Sequence, residues 1–350
     1  MTDSVNIRWG SYREFSGPWY SGTISFELPD DPTEDEKILA VVTATEGGRY
    51  DAINMYDRMI LSIGLIQFAE AGQFMASQLL GACRKAGAPM DRFKAECRRN
   101  GCTFELVDSD KWRFRLGELV VDTIKEQQQL FLGGSSGRTD AWDSVQRQTA
   151  RQWAAAIATD LQHPRALAAQ KLFTVDHLMG FVMPAAKKML FSDELSETPE
   201  LQAARAAYVS FAANNPTIAQ RSLMATGYQP TEPGFLVDVL RRLTFHSGIA
   251  IYPDRYNKIR PVLERCYGVD LPDFAAELRV PAHTPSIVRL QEMLLVLGFD
   301  LGPAGADGVV GRKTTDAIMT FQSQQRMTIN GLFDHHTVQR LQALTRPGAA

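Results

Sequence analysis

Ala40 to Gln73 read AVVTATEGGRYDAINMYDRMILSIGLIQFAEAGQ, and the rest of the chain is best read outward from this stretch. Just before it, Pro32-Thr33-Glu34-Asp35-Glu36 has the form of a helix start. Thr33 is placed as N-cap with Glu36 three residues on, the spacing of a capping box, and acids fill the first turn. Ile38, Leu39, Val41 and Val42 then suit a helix packed on most sides. Gly47-Gly48 predicts its stop, because glycine takes the left-handed conformation at little cost. Glu46 is thus expected as the last helical residue, at the negative end of the helix dipole. There, beside an apolar helix, a carboxylate has the setting of a glycosidase general acid. The plain alternative is a surface glutamate before a turn.

Downstream lies Ser62-Ile63-Gly64-Leu65-Ile66-Gln67-Phe68. A glutamate at a helix end, a Gly-rich excursion bearing Tyr and Asp, and then Gly-Leu-Ile-Gln resemble the goose-type lysozymes and soluble lytic transglycosylases. Those families share a catalytic Glu at a helix end and a Gly-Leu-Met-Gln segment lining the sugar cleft. Ile66 stands here where they usually have Met, and Gly47 replaces the Ser that commonly follows the Glu. The resemblance covers the span 33–75. It implies a mainly α, lysozyme-like domain with a small β-hairpin, cleaving the β-1,4 bond between N-acetylmuramic acid and N-acetylglucosamine. Glu46 would protonate the leaving oxygen, and Ser62, Gly64 and Gln67 would position the ring and N-acetyl group.

The families hold water with one or two aspartates after the Glu. Asp57 is the candidate base, with Asp51 and Glu70 as the other acids of the same stretch. If one of them holds a water, the enzyme is a hydrolase. If none does, the sugar's own 6-hydroxyl attacks and a lytic transglycosylase leaves anhydro-muramic ends. These families also carry an Ala-Tyr-Asn segment on a helix facing the Glu, which suggests Tyr208 and Asn214 as further sugar contacts. Helix capping is the other use of an asparagine there.

Composition excludes several classes. The 350 residues are 45% hydrophobic and 22% charged, enough for a sizeable core and for two domains as readily as one. A net charge of −3 gives no reason to expect nucleic acid as partner. Residues 1–25 hold Asp3, Arg8, Arg13 and Glu14 without an apolar core, so no signal peptide is expected. No apolar run approaches the roughly 20 residues of a transmembrane helix, and membrane insertion is not expected. Synthesis in the cytoplasm followed by holin release, as for a phage endolysin, or by loading into a secretion apparatus fits that pattern. Cys83, Cys97, Cys102 and Cys266 show no paired C-x-x-C spacing, and none of the six histidines forms H-E-x-x-H, so no metal or cofactor is expected. Cys97 and Cys102 are close enough to bridge, but buried free thiols fit cytoplasmic synthesis better.

The remaining chain reads in blocks. Residues 1–31 suggest an arm or short strands, with Tyr20 to Leu28 alternating. Helical patterns cover 68–101, and Phe104–Val107 with Trp112–Leu116 suggest a hairpin. Gly133 to Gly137 read as a flexible loop, and 140–190 as helices again. An Ala-rich helix from Glu200 ends at Asn214-Asn215-Pro216. The catalytic domain is expected over 32–271 and a Pro-bearing linker over 272–285.

Residues 286–345 carry the densest motif, SIVRLQEMLLVLGFDLGPAGADGVVGRKTTDAIMTFQSQQRMTINGLFDHHTVQRLQAL. Leu290, Leu294 and Leu297 make one helical stripe and Ala317, Ile318 and Phe321 another. Leu290-Gln291, Leu297-Gly298, Asp307-Gly308, Gly311, Thr315, Phe321-Gln322, Gly331, Asp334, Thr337 and Leu341 resemble the three-helix peptidoglycan-binding domain of many wall hydrolases. That resemblance makes Asp307, Gly308, Gly311, Phe321 and Gln322 the marker residues of the wall-binding domain, and implies bacterial peptidoglycan glycan strands as the partner of a monomeric, wall-tethered glycosidase. A wall-anchored toxin or particle component without enzymatic activity is the competing class.

Overall fold

The computed structural model describes residues 5–12, 15–56, 59–71, 74–108, 111–132, 143–190, 197–223, 234–245, 252–274, 287–303, 305–307, 312–327, 329, 331, 333 and 335–345. The protein is mainly helical with small antiparallel sheets. Its contacts gather into two units, Met1–Pro184 and Ala185–Ala350, a division that falls inside the 32–271 span. No described helix is long and apolar enough to cross a membrane.

In the first unit, α1 (Glu34–Glu46) is a largely buried helix. Ile38 to Thr43 are six consecutive buried residues, so the helix has no solvent face over that length. The unit also holds a five-stranded antiparallel sheet in sequence order: β1 (Arg8–Tyr12), β2 (Phe15–Tyr20), β3 (Ile53–Asn54), β4 (Ser62–Ile63) and β5 (Phe68–Ala69). The N-terminal segment is therefore not a loose arm. Its second strand pairs with β3 through Trp19↔Asn54 and Tyr20↔Ile53. Phe68 and Ala69, read as helical from the sequence, form the last strand instead.

The expected hairpin is present as β6 (Cys102–Leu106) and β7 (Trp112–Leu116), extended by β8 (Leu119–Val120). Phe104 and Phe114 pair across it and pack with Phe93, Phe131 and Trp153 at ring distances of 4.8–6.0 Å. Helices α2 (Met75–Lys85), α3 (Asp91–Arg99), α4 (Ile124–Leu132), α5 (Ser144–Leu161) and α6 (Pro164–His177) complete this core. Cys97 and Cys102 are buried free thiols within it. A π-helical turn, Leu178–Val182, leads from α6 into α7 (Met183–Met189).

The second unit has two parts. Around α8 (Pro199–Asn214), in which Ala203 to Ala212 are all buried, pack α9 (Pro216–Leu223), α10 (Phe235–Phe245) and α11 (Tyr252–Tyr267). Small alanine side chains let these backbones approach closely. Pro216, read as the end of one helix, also opens the next, because proline at the first helical position loses no hydrogen bond. The expected linker lies mostly outside the described residues. Beyond it, α12 (Ile287–Val296), α13 (Arg312–Gln324) and α14 (His335–Leu344) enclose a separate small core of Leu290, Leu294, Leu301, Ile318, Phe321 and Leu341.

Candidate functional site

The capping box at the start of α1 is formed: the Thr33 hydroxyl accepts from the Glu36 N–H at 3.3 Å, and the Glu36 carboxylate accepts from the Thr33 N–H at 2.9 Å. At the other end Glu46 is the last helical residue and Gly47 the C-cap, with φ 91° in the left-handed region. The Glu46 side chain is half-buried. The following segment is tied down at once. Phe26 donates to the Gly48 carbonyl and Tyr50 to that of Ile24, both at 2.9 Å.

Asp51 locks this crossing. Its fully buried carboxylate accepts from the Thr23 N–H (2.8 Å), the Thr23 hydroxyl (3.0 Å), the Ile24 N–H (3.1 Å) and the Gln162 amide (2.9 Å). A carboxylate held by four donors has its lone pairs occupied, so Asp51 is built to brace the loop rather than to hold a reacting water. Glu70 is likewise committed. Its buried carboxylate accepts from the Ser77 hydroxyl at 2.7 Å and the Ser77 N–H at 2.9 Å, capping α2, whose own N-cap position is Phe74. Burial pushes its pKa up to about 7 despite those bonds. Asp57 lies outside the described residues.

The Gly64–Gln67 turn joins β4 to β5 and sits beside the segment that follows Glu46, since the Gly64 N–H donates to the Ala52 carbonyl at 3.0 Å. Ser62 is buried on β4 opposite Asn54 and Ala69. Gln67 has φ 56°, and its side-chain amide folds back to the Gly64 carbonyl at 3.1 Å. Ile60, a β-branched residue, holds φ 67° just before β4. A β-branched side chain in that region is a genuine outlier, and strain of this kind gathers at functional sites.

Sequence reasoning missed the residue behind the turn. Gln170 of α6 is fully buried, its amide oxygen and nitrogen have no hydrogen-bond partner among the described residues, and a Cβ on Gly64 would lie 2.5 Å from its Oε1. The available signal was an amide at helical spacing among Ala166, Ala169 and Thr174, all buried.

Tyr208 and Asn214 belong to the second unit. Tyr208 is buried in α8, where burial also raises its phenol pKa. Asn214 ends that helix, and the neighbouring Asn215 caps α9 by accepting from the Ile218 N–H at 3.1 Å. Among the described residues, no group of three or more His, Cys, Asp or Glu could share a metal ion.

In the last three helices two buried glutamines perform parallel tasks. Gln291 donates to Asp307 and to the Thr314 hydroxyl, both at 3.1 Å. Gln322 donates to the Thr337 hydroxyl at 2.9 Å and accepts from the Gly331 N–H at 2.8 Å. Each ties a helix to the loop and the helix start that follow. Phe321 and Gln322 therefore face inward, and their place in the motif is explained by folding. Asp307 is exposed, while Gly308 and Gly311 lie outside the described residues.

Residues 283–341 match the family model of the peptidoglycan binding domain. This segment is a peptidoglycan-binding domain. A stretch of 48 residues, 14% of the chain, is 52% identical to the type VI secretion system spike protein VgrG3 of Vibrio cholerae serotype O1 (strain ATCC 39315 / El Tor Inaba N16961). The match spans only 5% of that relative's length. No solved structure gives a significant match.

Proposed function

We propose that this protein is a peptidoglycan glycosidase, held at the cell wall by its peptidoglycan-binding domain, with Glu46 as general acid. The observation that carries the reading is that domain, in the same chain as a half-buried glutamate ending a buried helix and followed by a strained sheet turn. In the proposed reaction Glu46 gives its proton to the glycosidic oxygen between N-acetylmuramic acid and N-acetylglucosamine as an oxocarbenium-like charge develops on the ring. The Gly64–Gln67 turn lines the sugar. With Asp51 and Glu70 occupied in bracing the fold, Asp57 is the acid left to activate water.

The test is mass spectrometry of purified peptidoglycan after digestion by wild type, Glu46→Gln and Asp57→Asn. Reducing muramic ends from wild type, lost in both variants, are expected. Anhydro-muramic ends that persist in Asp57→Asn would turn the reading to a lytic transglycosylase. Cleavage by Glu46→Gln at the wild-type rate would remove the enzyme assignment. The likeness to a spike protein favours a second reading, a wall-binding component of an injection particle, and wall binding without any glycan cleavage is the outcome that selects it.

A further inference from the structure

Phe181 is the most exposed large apolar side chain among the described residues, at 78% accessibility. It stands in the π-helical turn Leu178–Val182, where the Met183 N–H donates to the Leu178 carbonyl five residues back. The apolar pattern accounts for this turn. Leu178 and Met183 are both buried, and a spacing of five suits the wider π geometry, whereas an unbroken α-helix would point Val182 inward. With Leu178 and Met183 filling the inner positions, the Phe181 ring stands outside the core. Such π turns occur frequently at functional sites.

The ring is the outer end of an aromatic run. His177 lies 5.5 Å from Phe181, tilted by 34°. His177 meets Phe68 edge-on at 5.4 Å, and Phe68 packs on Phe173 at 5.0 Å. Phe68 directly follows Gln67, so the run starts at the Gly64–Gln67 turn and ends in solvent. Burial lowers the His177 pKa, which keeps the imidazole uncharged at neutral pH. Beside the ring is Gly180, and apart from its chain neighbours and its own helix backbone no described heavy atom lies within 4 Å of where a Cβ would stand there, leaving the approach open.

We propose that Phe181 is a saccharide-stacking residue, an outer subsite for an N-acetyl sugar of the glycan strand that reaches the Gly64–Gln67 turn. The electron-rich ring face suits the slightly positive C–H face of a pyranose, and a flat hydrophobic ring in water gains by that cover. The subsite deepens the glycosidase reading and rests on it for the identity of the sugar.

The test is calorimetric titration of the full-length Glu46→Gln chain, which keeps the probe intact, with the peptide-free β-1,4 tetrasaccharide of N-acetylglucosamine. Phe181→Ala in that background is expected to weaken binding about tenfold, a loss of about one stacked contact, while Phe181→Trp keeps the parent affinity. Val145→Ala, a control at an exposed apolar position of α5, outside the peptidoglycan-binding domain, leaves it unchanged. Equal affinity of Phe181→Ala and its parent, equal losses in the Ala and Trp variants, or no binding by the parent would each overturn the subsite. The two readings fail separately. Phe181-dependent binding in a chain that never cleaves glycan removes the enzyme and leaves the subsite. Cleavage with the KM unchanged in Phe181→Ala removes the subsite and leaves the enzyme.

Discussion

Glu70 shows how one side chain can carry a fold and a pH dependence together. It caps α2 from outside because Phe74, at the N-cap position, has no acceptor to offer. The carboxylate is fully buried, and desolvation outweighs the Ser77 bonds and the Arg113 charge, setting its pKa at about 7. The folded state thus binds this proton more tightly than the unfolded chain. The resulting stability is complete below the ordinary glutamate range and is lost as pH rises toward 7. Asp160, also raised by burial, slopes the same way and His177 the opposite way, so wild type must be compared with Glu70→Gln at each pH. Between pH 5 and 7.5 wild type is expected to lose on the order of 2 kcal/mol relative to Glu70→Gln in urea unfolding. Parallel pH profiles for the two proteins would show that Glu70 is ionised throughout.

At the scale of elements, the contact that positions the site is the β4–β5 turn against α6. Gly64 has φ 77°, and an added Cβ would meet Gln170 Oε1 at 2.5 Å and Leu79 Cδ2 at 3.0 Å. Gly64→Ala therefore suffers twice, from the backbone conformation and from the close approach. A loss of about 1–3 kcal/mol is expected in thermal or urea unfolding. Adding Gln170→Ala removes the closer contact but neither the Leu79 contact nor the unfavourable φ, so the double variant should recover only part of the loss. Unfolding of Gly64→Ala at the wild-type midpoint would mean that the turn is free to move away from α6. The same packing explains why Gln67 takes a left-handed conformation: the turn must close in four residues between two short strands, and its amide completes the closure on Gly64.

For the whole molecule, the consequence of the proposed function is tethering. The peptidoglycan-binding domain raises the effective concentration of the rest of the chain only where wall is present. A chain ended near residue 282 is expected to lose roughly tenfold or more of its activity on whole sacculi and little on soluble glycan fragments, measured as release of reducing ends. Equal losses on both substrates would mean that the domain supports folding rather than tethering. Inside the domain, Gln291 and Gln322 show why its motif is so dense. A core of this size is small, and buried amide bridges to Thr314 and Thr337 fix helices that apolar burial alone would leave loosely registered.

The sequence by itself determined what depends on neighbours along the chain. The capping box at Thr33, the glycine stop after Glu46, the hairpin through Phe104 and Phe114, and the register of the last three helices all follow from local hydrogen bonding and apolar spacing. The same local logic left roles undecided wherever a partner comes from far away. Asp51 looked available for chemistry until Thr23 and Gln162 were seen to occupy it. Phe68 looked helical until β4 claimed its backbone. Gln322 stood in the motif without a role until Gly331 and Thr337 were seen to bond it. Only tertiary structure decides such cases, because burial and the direction of a hydrogen bond depend on which distant segments pack together, and spacing in one segment carries no record of that.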